Sequence, residues 1–450
     1  MSRRPIVLIV LALLALPVAT AAGEPETSPA PVTTEQELRD TLAALSLDDS
    51  GPHTVTLGAD ITIAGTEELV YSGEQALTID GQGLYALDGG GNSRVLRAAN
   101  VLTGALTIRD VTIRNGSATN DAGVSWLGPV TVEGSVFHDN HAGATSGVAS
   151  AGAVGANGSM TIVDSVFRDN AAVSSGGNGN AGAVDVSGGD ATLTITRSTF
   201  TGNRAEGSNS GAAGAARSLG TMTVTDSVFH DNAAVGVGAA AGAVSATDLV
   251  TAEGSLFVGN RVTSSTASAS GGALYSLFGA VDVLDSSVID NSVESTSALA
   301  RGSAVYAGAD LTLRNTTVAE NSTTTSGGAS DASVRSGGSV TLAHVAVVAN
   351  TDTTGAVVGV EAAADLEAEA SVVSGGDLPS CSIGGQTVSD GHNYSTGGTC
   401  GFDGPGDVDA GSRVRMTVRD NGDLDPPGAP GLETNRPTGF AYTYGNDFDS

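Results

Sequence analysis

Apolar and polar positions alternate with period two over short stretches, and the stretches repeat along the chain. In the phrase from Met222 to Asn232, the apolar Met222 and Val224 flank Thr223, and Ser227 and Phe229 follow before the closing Asn. The same phrase closes at Asn140, Asn170, Asn203, Asn232, Asn260, Asn291, Asn321 and Asn350. Ten residues before each Asn stand Val130, Met160, Leu193, Met222, Val250, Val281, Leu311 and Val340; eight before stand Val132, Ile162, Ile195, Val224, Ala252, Val283, Leu313 and Leu342. Five before, Ser135, Ser165, Ser198, Ser227, Ser255 and Ser286 give way to Thr316 and Val345. Three before, Phe137, Phe167, Phe200, Phe229 and Phe257 give way to Val288, Val318 and Val347. Degenerate copies close at Gly116 and Gly376. A second apolar file runs ahead of the phrases through Val124, Val154, Val184, Ala216, Val244, Leu274, Val305, Val334 and Val360.

A period of about 30 residues marks a solenoid, in which no repeat buries its apolar face alone. Period-two alternation rich in Thr and Val makes the unit a strand. Strand-only repeats of this length, joined by Gly/Ser/Asn turns, coil into an all-β parallel β-helix of about eleven to twelve coils. Equivalent positions then stack at roughly 4.8 Å, the spacing of paired strands. The Phe positions are expected to form an internal stack. The Asn positions are expected to form an amide file at a bend, because Asn tolerates left-handed backbone and its amides bond along a stack. Gly116 and Gly376 would fit the same bend.

The remaining chain divides around this repeat. Residues 1–22 carry Arg3 and Arg4, then an apolar run and small residues, and read as a secretory signal peptide. Residues 23–33 are a Pro-containing linker. In 34–47, Thr34 and Glu37 form a capping box ahead of Leu38, Leu42 and Leu45, which predicts an amphipathic helix covering an open end of the solenoid. The β-helix is expected over 48–376, with the Ser/Ala/Gly-rich stretches after each Asn as loops along one flank. Residues 377–411 form a C-terminal cap, and 412–450 a polar tail.

Composition adds a compartment and a set of exclusions. The 450-residue chain has 63 Gly, only 4% aromatic residues and a net charge of −30, with no Lys among its 19 cations. That charge excludes nucleic acid and anionic membranes as partners held by electrostatics. It is compatible with a salt-tolerant surface or a calcium requirement. No run after residue 22 is apolar enough to span a membrane. In an exported protein, Cys381 and Cys400 are expected to pair as one disulfide.

The Phe-x-x-Asn phrases, together with Gly271-Gly272-Ala273-Leu274-Tyr275 and relaxed forms at 151–154, 181–184, 241–244 and 302–306, resemble the repeats of bacterial polymorphic outer membrane proteins. The stretch from Cys381 through Gly391-His392-Asn393-Tyr394 to Cys400-Gly401-Phe402 resembles the end of exported choice-of-anchor proteins. Together these resemblances cover roughly residues 51–402. They imply a right-handed parallel β-helix of pectin-lyase type at the bacterial surface or outside the cell, often adhesive, with no catalytic residues and no cofactor. A glycan or a surface protein of a host or neighbouring cell is the implied partner. No barrel-forming strands are evident after Phe402, so the resemblance carries no membrane attachment.

Several clusters invite sharper readings. Many proteins of this fold cleave polysaccharides, and a hydrolase needs at least two carboxylates at a defined separation. Asp80, in Thr78-Ile79-Asp80-Gly81, and Asp352, after Asn350, resemble fragments of polygalacturonase motifs, but the companion acid pair exists only as Asp48-Asp49. A carbohydrate-active enzyme is therefore the alternative to an adhesive or structural protein. His138, Asp139 and His141 are metal-ligand types, yet the phrase recurs with Arg168 in place of His, as turn residues would. Asp403, Asp407 and Asp409, or Asp420, Asp423 and Asp425, could ligate calcium. Thr131, Thr161, Thr194, Thr223, Thr251, Thr312 and Thr341 form an outward file broken by Asp282, which suits plain strand formers. One place past the second file, Arg217, Tyr275, Tyr306 and Arg335 also point outward and form the candidate contact patch. Their competing reading is cross-strand packing. Trp126 is expected to point inward.

Overall fold

The structure is a computed structural model that describes residues 30–100, 104–296, 299–354 and 356–411. The signal-peptide segment, most of the linker and residues 412–450 lie outside the described residues. The strands assemble into five sheets of 13, 14, 12, 9 and 6 strands, each strand pairing in parallel with its counterpart in the next coil. The result is a parallel β-solenoid of about 11 turns. One coil shows the plan: Val130–Glu133, Val136–His138, His141–Ala144, Gly147–Ala149 and Val154–Ala156. The first of these lies in the 13-stranded Thr sheet, the second in the 14-stranded Phe sheet and the last in the 12-stranded Tyr sheet. Among the described residues there is one helix, and none long and apolar enough to cross a membrane.

The columns seen in the sequence become physical stacks. Phe137, Phe167, Phe200, Phe229 and Phe257 are fully buried, with successive ring centroids 4.7 to 5.1 Å apart and nearly parallel planes. Each Asn from Asn140 to Asn321 donates its side-chain amide to the Oδ1 of the Asn in the next coil at 2.9 or 3.0 Å. The same Oδ1 accepts the backbone N–H of the preceding Asn. From Asn170 to Asn291 the amide also reaches the carbonyl of a Phe one coil back. The Ser column forms a second ladder, each hydroxyl accepting the N–H of its predecessor at 3.1 Å. The buried side-chain amides and hydroxyls of these two columns thereby find partners inside an otherwise apolar core.

Five expectations need correcting. The Asn residues are not the left-handed positions: the residue just before each is, at Asp139, Asp169, Gly202, Asp231, Gly259, Asp290, Glu320 and Ala349, with φ from 55° to 65°. Asp and Gly tolerate that region, which frees Asn to turn its amide inward. Gly116 joins the ladder through its N–H to Asn140 Oδ1, and a Cβ there would meet the Ala122 carbonyl at 2.2 Å. Gly376, with φ 63°, is exposed and outside the ladder.

The flank after each Asn is not a pile of loops. It is two further sheets, of nine and six strands, folded against each other as a thin fin. Small residues make this possible. Ala142, Ala144 and Ala172 meet Ala149 in one buried cluster, and Ala234, Val262 and Val293 meet Ala239, Ala269 and Ala300 in another. A Cβ on Gly179 would lie 2.3 Å from the Glu206 carbonyl and 2.6 Å from that of Ala172, so the two layers touch backbone to backbone there. Bland composition is what so close a packing requires.

Both ends continue the same logic. The helix spans Glu35–Leu45, narrower than the expected 34–47, with Thr34 as N-cap and the capping box formed. Leu38 and Leu42 are buried in the main core, and Arg39 donates to the Glu68 carbonyl, which pins the helix on the first coil. At the other end, residues 377–411 are not a separate cap. Cys381–Ile383, Thr387–Gly391 and Tyr394–Thr396 extend the Tyr, Thr and Phe sheets in turn.

Candidate functional site

The outer face of the Tyr sheet carries one residue per coil. In axial order these are Val70, Arg97, Ser125, Gly155, Asp185, Arg217, Ser245, Tyr275, Tyr306, Arg335, Glu361 and Ser382. The structure thus places the four contact-patch residues on one file, but it divides them into three environments.

Arg217 is committed. Its Nε and Nη2 donate to both oxygens of Asp185, at 2.8 and 3.0 Å, and Asp185 is 2% exposed. Ser150 also donates to Asp185. Gly155 leaves a gap in the file, and the Asp121 carboxyl fills it: a Cβ on Gly155 would lie 2.1 Å from Asp121 Oδ1. Burial and then the Asp185 charge push Asp121 up to about 7, against the Ser125 hydroxyl bond and the Arg94 guanidinium. This pair of acids was missed in the sequence, because its members come from different coils and from different columns.

Tyr275 and Tyr306 stack with centroids 5.2 Å apart. Gly271 and Gly302 make room beside them, since a Cβ at either would come within 2.8 or 3.1 Å of the Tyr Cβ. Burial, then the neighbouring Tyr306, pushes the Tyr275 hydroxyl up to about 12, so it is a neutral donor at any physiological pH. Arg335 sits between Asp331 and Glu361, at 3.4 and 3.3 Å, and Arg301 reaches Asp331 at 3.1 Å. Burial, then Asp331, raises the Glu361 carboxyl above its ordinary range.

Other candidate residues resolve into structural roles. The Asn file is the ladder described above. Cys381 and Cys400 form the disulfide, both buried. His138 bonds its neighbour Asp139 at 2.6 Å, and no group of three or more metal-ligand residues occurs among the described residues. Asp407 accepts from Ser389, Asn393 and Gly404, and Asp409 accepts from Ser395 and Gly401, so these acids fasten the last turns. Asp420, Asp423 and Asp425 lie outside the described residues. Asp80 is paired with Arg109 near one end of the solenoid, and Asp352 bonds Ser330 and Thr354 near the other, so the structure does not bring them together. The Thr file faces outward, as expected. Trp126 is buried, stacks on Tyr71 and donates to the Gly104 carbonyl. In comparisons with protein-family models, with curated proteins and with solved structures, nothing matches the chain.

Proposed function

We propose that the chain is an exported, non-catalytic β-helix protein of the cell surface or its surroundings. Its role is adhesive or structural, with a glycan or a neighbouring surface protein as partner. The observation that carries this reading is where the charged side chains go. Asp80, Asp185, Asp331 and Glu361 are each engaged by an arginine of the same or an adjacent coil, and Asp121 accepts from the Ser125 hydroxyl. The Phe-x-x-Asn repeats accord with the polymorphic outer membrane proteins that they resemble, and the Cys381–Cys400 stretch with choice-of-anchor proteins. A solenoid of about 11 turns at roughly 4.8 Å each is a rod of about 50 Å, suited to presenting a flank.

One observation favours a second reading, a carbohydrate-active enzyme. Asp121, whose carboxyl is pushed up to about 7, stands beside a second acid, Asp185, and two neighbouring carboxyls are what glycosidases use. Against it, Asp185 is almost wholly buried. The test is incubation of the mature protein, with and without calcium, with pectate, alginate, chondroitin and neutral glycans. New reducing ends or unsaturated products that vanish in Asp185→Asn would replace the first reading by the second. Binding to glycans or cells without turnover is the expected result.

A further inference from the structure

We propose that the segment of the Tyr sheet from Tyr275 to Glu361 is a binding platform for a neutral, linear glycan lying along the solenoid axis. This rests on the reading of the chain as a binding protein and names its site and ligand chemistry.

The first observation is an exposed aromatic edge. The described Phe side chains are buried in the internal stack or, at Phe402, under the C-terminal coil, with one exception. Phe278 is 70% exposed. It lies at the corner that follows Tyr275, beside Leu277 and near Leu249, which are also exposed. Register continues from Tyr275↔Tyr306, so Leu277 and Gly308 are neighbours on the same face. A Cβ on Gly308 would sit 2.2 Å from the Leu277 carbonyl and 3.0 Å from the Phe278 Cα. Glycine at 308, and again at 337 in the next coil, lets these coils close backbone to backbone, and Leu277 and Phe278 stand exposed as an edge two to three residues past Tyr275. An exposed apolar edge bearing an aromatic ring suits the apolar face of a sugar ring.

The second observation is the charge balance. Two guanidiniums, Arg301 and Arg335, and two carboxylates, Asp331 and Glu361, form one ion-paired group from the Tyr306 coil onward. Their sum is zero, yet they and the Tyr hydroxyls offer donors and acceptors in quantity. Such a lining recognises a ligand with many hydroxyls and no charge. The protein's net charge of −30 repels polyanions besides. Successive coils set these side chains at the strand spacing of roughly 4.8 Å, so an extended polymer that runs along the axis meets the Tyr pair and then the ion-paired group. Arg217 is outside the platform, because Asp185 holds its Nε and Nη2.

The experiment is a glycan array with the mature chain, followed by titration of the best glycan at low and high salt. The variants are Phe278→Ala and Tyr306→Ala, with Leu84→Ala as an exposed control elsewhere. Cell binding and a thermal melt are recorded for each. Phe278 is so exposed that its replacement leaves the fold intact. The expected result is binding of neutral linear glycans that is insensitive to salt, weakened about tenfold or more by either variant, and unchanged in Leu84→Ala. Glycan binding that survives both variants, or is confined to acidic glycans, overturns the proposal. Cell binding without any glycan binding overturns the proposal and leaves the binding function standing. Loss of both overturns both.

Discussion

Asn203→Ala tests the amide ladder at its middle. Asn203 is fully buried and its side chain takes part in four hydrogen bonds. Its Oδ1 accepts from the Asn170 backbone N–H and the Asn170 amide; its own amide donates to the Phe167 carbonyl and to Asn232 Oδ1. The Asn170 amide and Asn232 Oδ1 keep second partners, Phe137 and the Asn203 N–H. The Asn170 N–H keeps none among these bonds. An orphaned buried donor costs about 1–3 kcal/mol, and the three other lost bonds about 1 kcal/mol each, so the total is roughly 4–6 kcal/mol. Asn203→Asp separates donor from acceptor, since the carboxylate accepts but cannot donate. Burial raises the introduced carboxyl's folded pKa above its unfolded value. The folded state then holds more protons, and the variant is most stable in acid and loses stability as pH rises from about 4. Denaturant unfolding across pH gives the energies. Hydrogen exchange gives their place, which should be the coils of Asn170 and Asn232, because coils contact only their neighbours. An Asn203→Ala variant no weaker than Thr223→Ala, or an Asp variant with no acid rescue, would refute the ladder as a source of stability.

Three further outcomes follow. Phe200→Ala, in the middle of the ring stack, should cost about 3–5 kcal/mol, and the exposed Thr223→Ala less than about 0.5 kcal/mol, by equilibrium unfolding. Thiol titration of the native protein should find no free Cys381 or Cys400, and reduction should cost about 3 kcal/mol and unprotect the last coil in hydrogen exchange. Asp121 holds its proton to about pH 7 when folded and to about 3.8 when unfolded, so its contribution to stability falls as pH rises between those values, by a few kcal/mol at most. Asp121→Asn should remove that slope; parallel stability–pH curves for the two proteins would show that the carboxyl does not titrate there.

Stacked columns were legible because a solenoid repeats its constraints. Inward Phe, Ser and Asn recur at fixed offsets, and each recurrence is independent support. Left-handed corners hid behind the Asn file, because Asp, Gly, Glu and Ala all occupy the φ-positive places before it and no single residue type marks them. The fin was invisible for the opposite reason. Its inward Ala, Gly and Ser read like a loop, since hydrophobicity is the signal for burial and backbone-to-backbone packing leaves no room for it. A weak trace was present in the alternation of Ala172, Ser174 and of Gly177, Gly179, Ala181, the residues that turn inward. Asp121 and Asp185 could not be found by motif, because only the coil geometry and the missing side chain at Gly155 bring them together.

The absence of Lys has a physical sense in this fold. Arg109 pairs with Asp80, Arg114 with Asp88, Arg197 with Asp164, Arg217 with Asp185, Arg261 with Glu294 and Arg335 with Glu361, each bridging one coil to the next. Arg197 and Arg217 are bidentate, with Nε and Nη2 on the two oxygens of one carboxylate. A planar fork lying across neighbouring strands can hold that geometry; an ammonium, which offers a point charge, cannot. Exposed pairs of this kind contribute little stability, at most about 1 kcal/mol. Their effect is on register. Slipping a strand by one residue would turn each fork away from its carboxylate and each Asn amide away from its ladder together. In a chain whose coils differ mainly in Ser, Ala and Gly, that double constraint separates one correct stacking from its near copies.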